Sequence, residues 1–181
     1  MTHQAAIEMI EIPQSIDWSL TLKDRAMQNV RKYESCSQSI LAAFMEALNI
    51  KDPLVMRSAG ALFGGMVSSL TCGVHTSAMM VLGLLLGRER LEDGFDGLVP
   101  VVLPAQELIK KLNQRIGGHS CRELTGIDFL DLEQAMRYRQ SPEHEKCVQR
   151  IGAGTEILAT LLQELSRNGE LFRPGDSTRA A

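Results

Sequence analysis

The sequence has few aromatic residues, which make up 4% of its 181 positions. Strands favour aromatic and β-branched residues, whereas Ala, Leu, Met and Gln, which are plentiful here, favour helices. The one β-like run is 99–103, and its proline at Pro100 and the following Pro104 argue against a strand there. We therefore expect an all-α protein, folded as a single-domain bundle of about six to seven helices.

The chain also lacks a long apolar run and an excess of positive charge. Its longest apolar segment, from Ala78 to Leu86, is shorter than the roughly 18 residues that a membrane-spanning helix needs. The formal net charge of -3 gives no basic surface for nucleic acid. The N-terminus shows neither the basic segment nor the apolar stretch of a secretory signal. We expect a cytoplasmic protein with neither a membrane partner nor a nucleic-acid partner.

Helical periodicity divides the chain into an N-terminal arm, a helical domain and a C-terminal tail. The arm covers residues 1–17, the cysteine-containing helical domain 18–168 and the tail 169–181. Apolar spacing, cap residues and glycine stops predict helices at about 20–34, 36–48, 53–63, 72–86, 99–116, 129–139 and 141–165, with a short turn or helix at 121–126. The helix at 72–86 contains the longest apolar run, so we expect it to be buried.

The chain has no C-x-x-C pair, so cysteine spacing alone identifies neither a zinc finger nor a cluster. Its four cysteines are Cys36, Cys72, Cys121 and Cys147. The first three each follow a Ser or Thr at a predicted helix start, where unpaired amides and the helix dipole favour a thiolate. In a reducing cytoplasm we expect metal ligands, a redox couple or free core thiols rather than two static disulfides. A purely structural role, in which the four cysteines only pack in the helical core, is a full alternative to a redox or metal site, because free cysteine behaves as a small buried hydrophobe.

Histidines accompany three of the four cysteines. His75 follows Cys72 by three positions, which puts both on one helical face, and His144 stands three positions before Cys147. His119 lies two positions before the third cysteine. Thiolate and imidazole are both ligands of transition metals. The candidate metal ligands are therefore the four cysteines, with His75 as an additional one.

Two adjacent glycines, Gly64 and Gly65, precede the second cysteine. No lysine follows them at the spacing of a phosphate-binding P-loop. We interpret the pair as a tight passage between two helices.

Several ordered segments together resemble a known family. They are Cys36–Phe44, Phe63–Met66, Thr71–Gly73, Cys121–Gly126 and Cys147. This order is similar to that of the redox-active C_GCAxxG_C_C family, which is named for its cysteines, and the resemblance covers about residues 22–165. It implies an all-helical domain with a cysteine-lined redox or metal centre. A related domain accompanies the haem part of split-Soret cytochromes, where an iron–sulfur cluster is associated with it.

The chain departs from the family pattern just after the second cysteine. Where the family has a small residue and a later glycine, this sequence has Val74, His75 and Ser77. These bulkier side chains are expected to narrow the site, and His75 would add a ligand. The chain also lacks the C-x-x-C-H motif that attaches a c-type haem.

Three hypotheses about function follow from the residues and the resemblance. The first is electron transfer or redox sensing with an unknown redox partner protein, through an iron–sulfur cluster held by the four cysteines, with zinc as a less favoured metal. The second is a metal-free thiol–disulfide couple in which the same four cysteines are the redox thiols. The third is a non-catalytic helical interaction module, with a homodimer as one form, whose methionine-rich surface near Met79 and Met80 contacts a partner. The residues leave open whether the protein is an enzyme.

Overall fold

The computed structural model describes residues 12–171. In this range the chain forms eight α-helices, six of them of seven residues or more: α1 (Ile16–Tyr33), α2 (Cys36–Ala47), α3 (Pro53–Ser58), α4 (Gly73–Leu86), α5 (Val99–Ile116), α6 (Cys121–Thr125), α7 (Leu132–Gln140) and α8 (His144–Arg167). Shorter helical turns lie at Gly65–Ser69, Leu91–Asp93 and Asp96–Leu98. No strand occurs within the described residues, where Thr71 and Ser120 form an isolated antiparallel bridge. The prediction of an all-α fold is confirmed.

The long helix α8 is the centre of the bundle, because α1, α2, α4 and α5 all contact it. Glycines on α8 permit the closest of these approaches. A Cβ at Gly152 would overlap Met27 of α1, and one at Gly154 would overlap Val74 of α4. The buried face of α8 supplies large side chains to the core: Val148, Ile151, Leu158, Leu161, Leu162 and Leu165.

The helix predicted at 72–86 is buried, as its apolar run indicated. It contacts α2, α5 and α8, and it buries side chains on several of its faces: Val74, Ala78, Val81, Leu82, Leu85 and Leu86. Met79 and Met80, expected on an exposed methionine surface, are partly buried and pack against the core. No helix between residues 12 and 171 combines the length and the apolar character needed to cross a bilayer.

Several predicted boundaries are wrong. Helix α3 ends at Ser58 instead of continuing to Phe63, because the backbone turns at Ala59 and becomes left-handed from Gly64. Helix α7 begins three residues later than predicted, where Asp131 accepts a hydrogen bond from the amide of Gln134. Residues 141–143 form a turn before α8 rather than its first residues.

The inner ends of the predicted arm and tail both pack on the helical domain. The Ile12 amide donates to Ser166 Oγ over 3.2 Å, and its side chain is buried. Gln163 Nε2 donates to the carbonyls of Pro13 and Ser15, while Leu171 is buried in the core. Residues 1–11 of the predicted arm and 172–181 of the predicted tail lie outside the described range.

Candidate functional site

The first residue of α2, Cys36, is placed by close contact with the first turn of α4. Its Sγ occupies the space where a side chain on Gly73 would begin, so only glycine fits at that position. Ser77, four residues further along α4, donates a hydrogen bond of 2.8 Å to the Ser37 carbonyl. The glycine and this buried hydrogen bond hold the start of α2 against the start of α4.

A short backbone pairing brings the second and third cysteines together. The Cys72 amide donates to the His119 carbonyl over 2.9 Å, and the Cys121 amide donates to the Leu70 carbonyl over 2.8 Å. Between these hydrogen bonds Thr71 bridges to the residue before Cys121. The pairing consequently sets Cys72 and Cys121 side by side on the wall of one cavity. Thr71, expected to cap α4, takes part in this pairing instead, and Cys72 itself is the N-cap.

A capping box fixes the backbone at Cys121. Ser120 Oγ accepts from the Glu123 amide over 3.1 Å, and Glu123 Oε2 accepts from the Ser120 amide over 2.9 Å. This arrangement satisfies two amides at the start of α6. It orients a helix of only five residues, which could not be stable by itself.

The glycine pair starts a left-handed stretch of backbone rather than a phosphate loop. Gly64, Gly65, Met66 and Val67 have φ between 55° and 63°. Left-handed backbone is strained for a β-branched residue such as Val67. Ser69 holds the end of this stretch in place, because its Oγ donates a hydrogen bond of 2.9 Å to the Ile127 carbonyl. The interpretation as a tight passage fits this geometry, and the passage lies against the site.

All four cysteines line one cavity of about 480 Å³, which we call the thiol cavity. The rest of its wall is largely apolar, with contributions from Phe63, Val67, Phe129, Leu132 and Met136. Tyr138, Arg139, His144 and Arg150 supply polar groups. The structure thus brings together cysteines that are separated by up to 111 positions in the chain, from 36 to 147. Their chemical roles stay predictions.

The fourth cysteine has two polar neighbours that sequence reasoning missed. The hydroxyl of Tyr138 lies 3.1 Å from Cys147 Sγ, and the Arg150 guanidinium lies beside the same thiol. Arg150 follows Cys147 by three positions on α8, a helical spacing that could have identified it. Tyr138 comes from α7, and no pattern in the sequence links the two.

His75, the additional candidate ligand, is fully buried beside Cys72. Its Nε2 lies 2.8 Å from Oδ1 of Asn113 on α5, a residue that sequence reasoning also missed. In the neutral tautomer whose Nε2 donates to this oxygen, Nδ1 is the nitrogen without a proton. Nδ1 is buried without a well-formed hydrogen bond in the described part of the chain, and the Cys72 thiol is next to the ring. The His119 ring lies edge-on to it, with centroids 4.7 Å apart.

The pKa values of Cys36 and Cys72 are raised, which corrects the expectation of thiolates at these two helix starts. Burial raises the pKa of Cys36 to about 12 and raises the pKa of Cys147 as well. The pKa of Cys72 is held well above its ordinary value, first by the hydrogen bond with Cys121 and then by burial. Tyr138 and Arg150 lower the pKa of Cys147, and His75 lowers that of Cys72, yet neither effect outweighs the others. At Cys36 and Cys147 the loss of solvent is thus the largest influence on the thiol pKa.

The donors as placed do not fit a metal site. Within residues 12–171 no group of three or more His, Cys, Asp or Glu side chains is arranged to hold a metal ion. A tetrahedral zinc site or an iron–sulfur cluster would require the four thiolates to converge more closely. The iron–sulfur cluster and the zinc site stay predictions, and we derive no chemistry through either.

Fold and site together define an all-α protein whose four cysteines share one largely apolar cavity. The family model described as "putative redox-active protein (C_GCAxxG_C_C)" matches residues 34–161. The chain belongs to this family, as the resemblance of its motifs indicated. Comparisons with curated proteins and with solved structures gave no match.

Proposed function

We propose that the protein is a thiol–disulfide redox protein in which Cys72 and Cys121 are the redox couple. The observation that carries this proposal is the backbone pairing that sets these two cysteines side by side at one wall of the thiol cavity. A disulfide between these residues needs no new approach of distant segments, because the backbone pairing at Thr71 already holds them together. The family description as redox-active agrees with this chemistry.

The reaction is an exchange with an external disulfide, RS–SR. The two protein thiols give up two electrons and two protons, the Cys72–Cys121 bond forms, and two molecules of RSH leave. Reduction by the dithiol of a redox partner protein reverses the exchange. Each step needs a thiolate, and the raised pKa of Cys72 means that its proton must be removed locally. Nδ1 of His75 is the adjacent base that can accept it.

Thiol counting with a defined oxidant tests the proposal. We expect the reduced protein to contain four free thiols and, after equilibration with bis(2-hydroxyethyl) disulfide, two. Peptide mapping should place the new bond between Cys72 and Cys121. A Cys36→Ser variant is the matched control, because it should still lose two of its remaining thiols. If all four thiols persist, or if the bond joins another pair, the proposed couple is wrong.

A second candidate is the iron–sulfur protein that the family resemblance implies. The observation in its favour is that all four cysteines line a single cavity. Anaerobic reconstitution with iron and sulfide, followed by iron analysis and a visible spectrum, distinguishes the two. Stoichiometric iron with a cluster spectrum, lost in single Cys→Ser variants, would favour this candidate, whereas a colourless, iron-free protein would exclude it.

A further inference from the structure

A second cavity of about 440 Å³ adjoins the thiol cavity, and we call it the basic cavity. Three of its lining side chains are cationic, Arg137, Lys146 and Arg150, and one is acidic, Glu143. Gln134 and Ser141 add neutral polar groups. The two cavities share three wall residues, Thr125, Tyr138 and Arg150. Two of these shared residues, Tyr138 and Arg150, are the neighbours of the Cys147 thiol.

The positive charge of this wall is only partly neutralised by acidic side chains. Glu143 pairs with Lys146, and Arg137 pairs with Glu133 at exposed positions. Arg150 has no ion pair among the described residues, and its Nη1 is buried without a hydrogen-bond partner there. A protonated thiol is only a weak acceptor, so the adjacent Cys147 does not satisfy this guanidinium. Among the described residues, Arg150 therefore brings an unpaired positive charge to this wall, which an anionic ligand would neutralise.

We propose that the basic cavity binds the carboxylate of a small anionic disulfide and thereby presents its S–S bond to Cys147. The proposal rests on the thiol–disulfide function and names the substrate class for it. Carboxylates suit the planar donors of arginine, which favours this anion in a pocket with two arginines. Because Tyr138 and Arg150 line both cavities, a ligand that spans them reaches the Cys147 sulfur.

The exchange then has three balanced steps. The Cys147 thiolate attacks one sulfur of RS–SR, the mixed disulfide forms, and RS⁻ leaves and takes up the proton that Cys147 gave up. Cys72 attacks the Cys147 sulfur and releases the second RSH. Cys121 displaces Cys147 from Cys72, which leaves the Cys72–Cys121 disulfide and restores the Cys147 thiol.

Three small disulfides that differ in charge test the inference: 3,3′-dithiodipropionate, bis(2-hydroxyethyl) disulfide and cystamine. Their rates with the reduced protein are each divided by the rate with the unfolded chain, which corrects for intrinsic reactivity. We expect the dianion to react faster than the neutral compound by about tenfold, the equivalent of one good charge-assisted contact, and the dication to react most slowly. The net charge of -3 would favour the opposite order, so this preference can only come from the site.

Variants of the cationic side chains test whether the preference for the anionic disulfide comes from the basic cavity. Lys146→Gln and Arg137→Gln should each reduce the ratio of dianion to neutral rates, and the double variant should abolish it. Lys110 is an exposed residue of α5 outside both cavities, so Lys110→Gln removes the same charge and should keep the ratio. Thermal unfolding confirms that each variant is folded. If the folded protein reacts with the three disulfides in the same order and ratios as the unfolded chain does, this inference is overturned but the thiol–disulfide function is not. Reaction with none would overturn both.

Discussion

Cys36 Sγ lies against the α-carbon of Gly73, in the space that the Cβ of any other residue would occupy. The contact joins the first residue of α2 to the first residue of α4, so two of the helix starts that carry cysteines depend on each other. A cysteine and a glycine 37 positions apart in sequence, 36 and 73, thus form one structural unit.

Gly73→Ala should disrupt this unit. The added methyl overlaps Cys36 Sγ and approaches the Ser37 amide, so one helix must shift, at a cost of about 1–3 kcal/mol in the free energy of unfolding. Denaturant unfolding measures the loss. Gly83→Ala on the same helix is the control, because nothing lies within 4 Å of its Cβ position, and it should be neutral or stabilising. If Cys36→Ala does not partly rescue Gly73→Ala, the two residues are not coupled as we infer.

The raised thiol pKa of Cys36 predicts a loss of stability at alkaline pH. The unfolded thiol ionises near pH 8.5 to 9, whereas the folded one ionises at about 12. Above the unfolded pKa the native state binds more protons than the unfolded state, so the free energy of unfolding falls with rising pH until the folded pKa is reached. Cys36→Ala should show a shallower fall between pH 9 and 11. An identical slope in the variant would contradict the raised pKa.

Tyr138→Phe should make the Cys147 thiol less reactive. The lost hydroxyl is a hydrogen-bond partner that lowers the pKa of Cys147, so burial would raise that pKa further in the variant. Removing a hydrogen bond of about 1 kcal/mol should slow thiolate-dependent alkylation of Cys147 by roughly fivefold at neutral pH. Mass spectrometry of each cysteine-containing peptide gives the rate, and Cys36 in the same molecule is the internal control. Equal slowing at both positions would indicate a general structural change instead.

The sequence predicts the helices better than it predicts the site. Apolar spacing found the buried helix α4, and cap residues placed Cys36 and Cys121 at helix starts. The proximity of Cys72 and Cys121 depends on a pairing of two loops, which leaves no periodic signal in the sequence. The thiol acidity could not be inferred correctly either. The helix dipole is visible in the local sequence, but burial depends on residues that are distant along the chain.

His75→Gln should slow closure of the Cys72–Cys121 disulfide. Glutamine keeps a polar group near Asn113 but cannot accept a proton, so the local base for the Cys72 thiol is lost. General-base catalysis typically contributes about a hundredfold or more, and rapid-quench measurement of thiol loss at several pH values should show a slower reaction with a steeper dependence on pH. Asn113→Ala should also slow closure, because the imidazole loses the hydrogen bond that orients it beside Cys72. In the double variant the two losses should not add, since both act through one imidazole. If the two losses in rate add fully in the double variant, or if His75→Gln leaves the rate and the pH profile unchanged, His75 takes no part in the reaction. It is then only a packed core side chain.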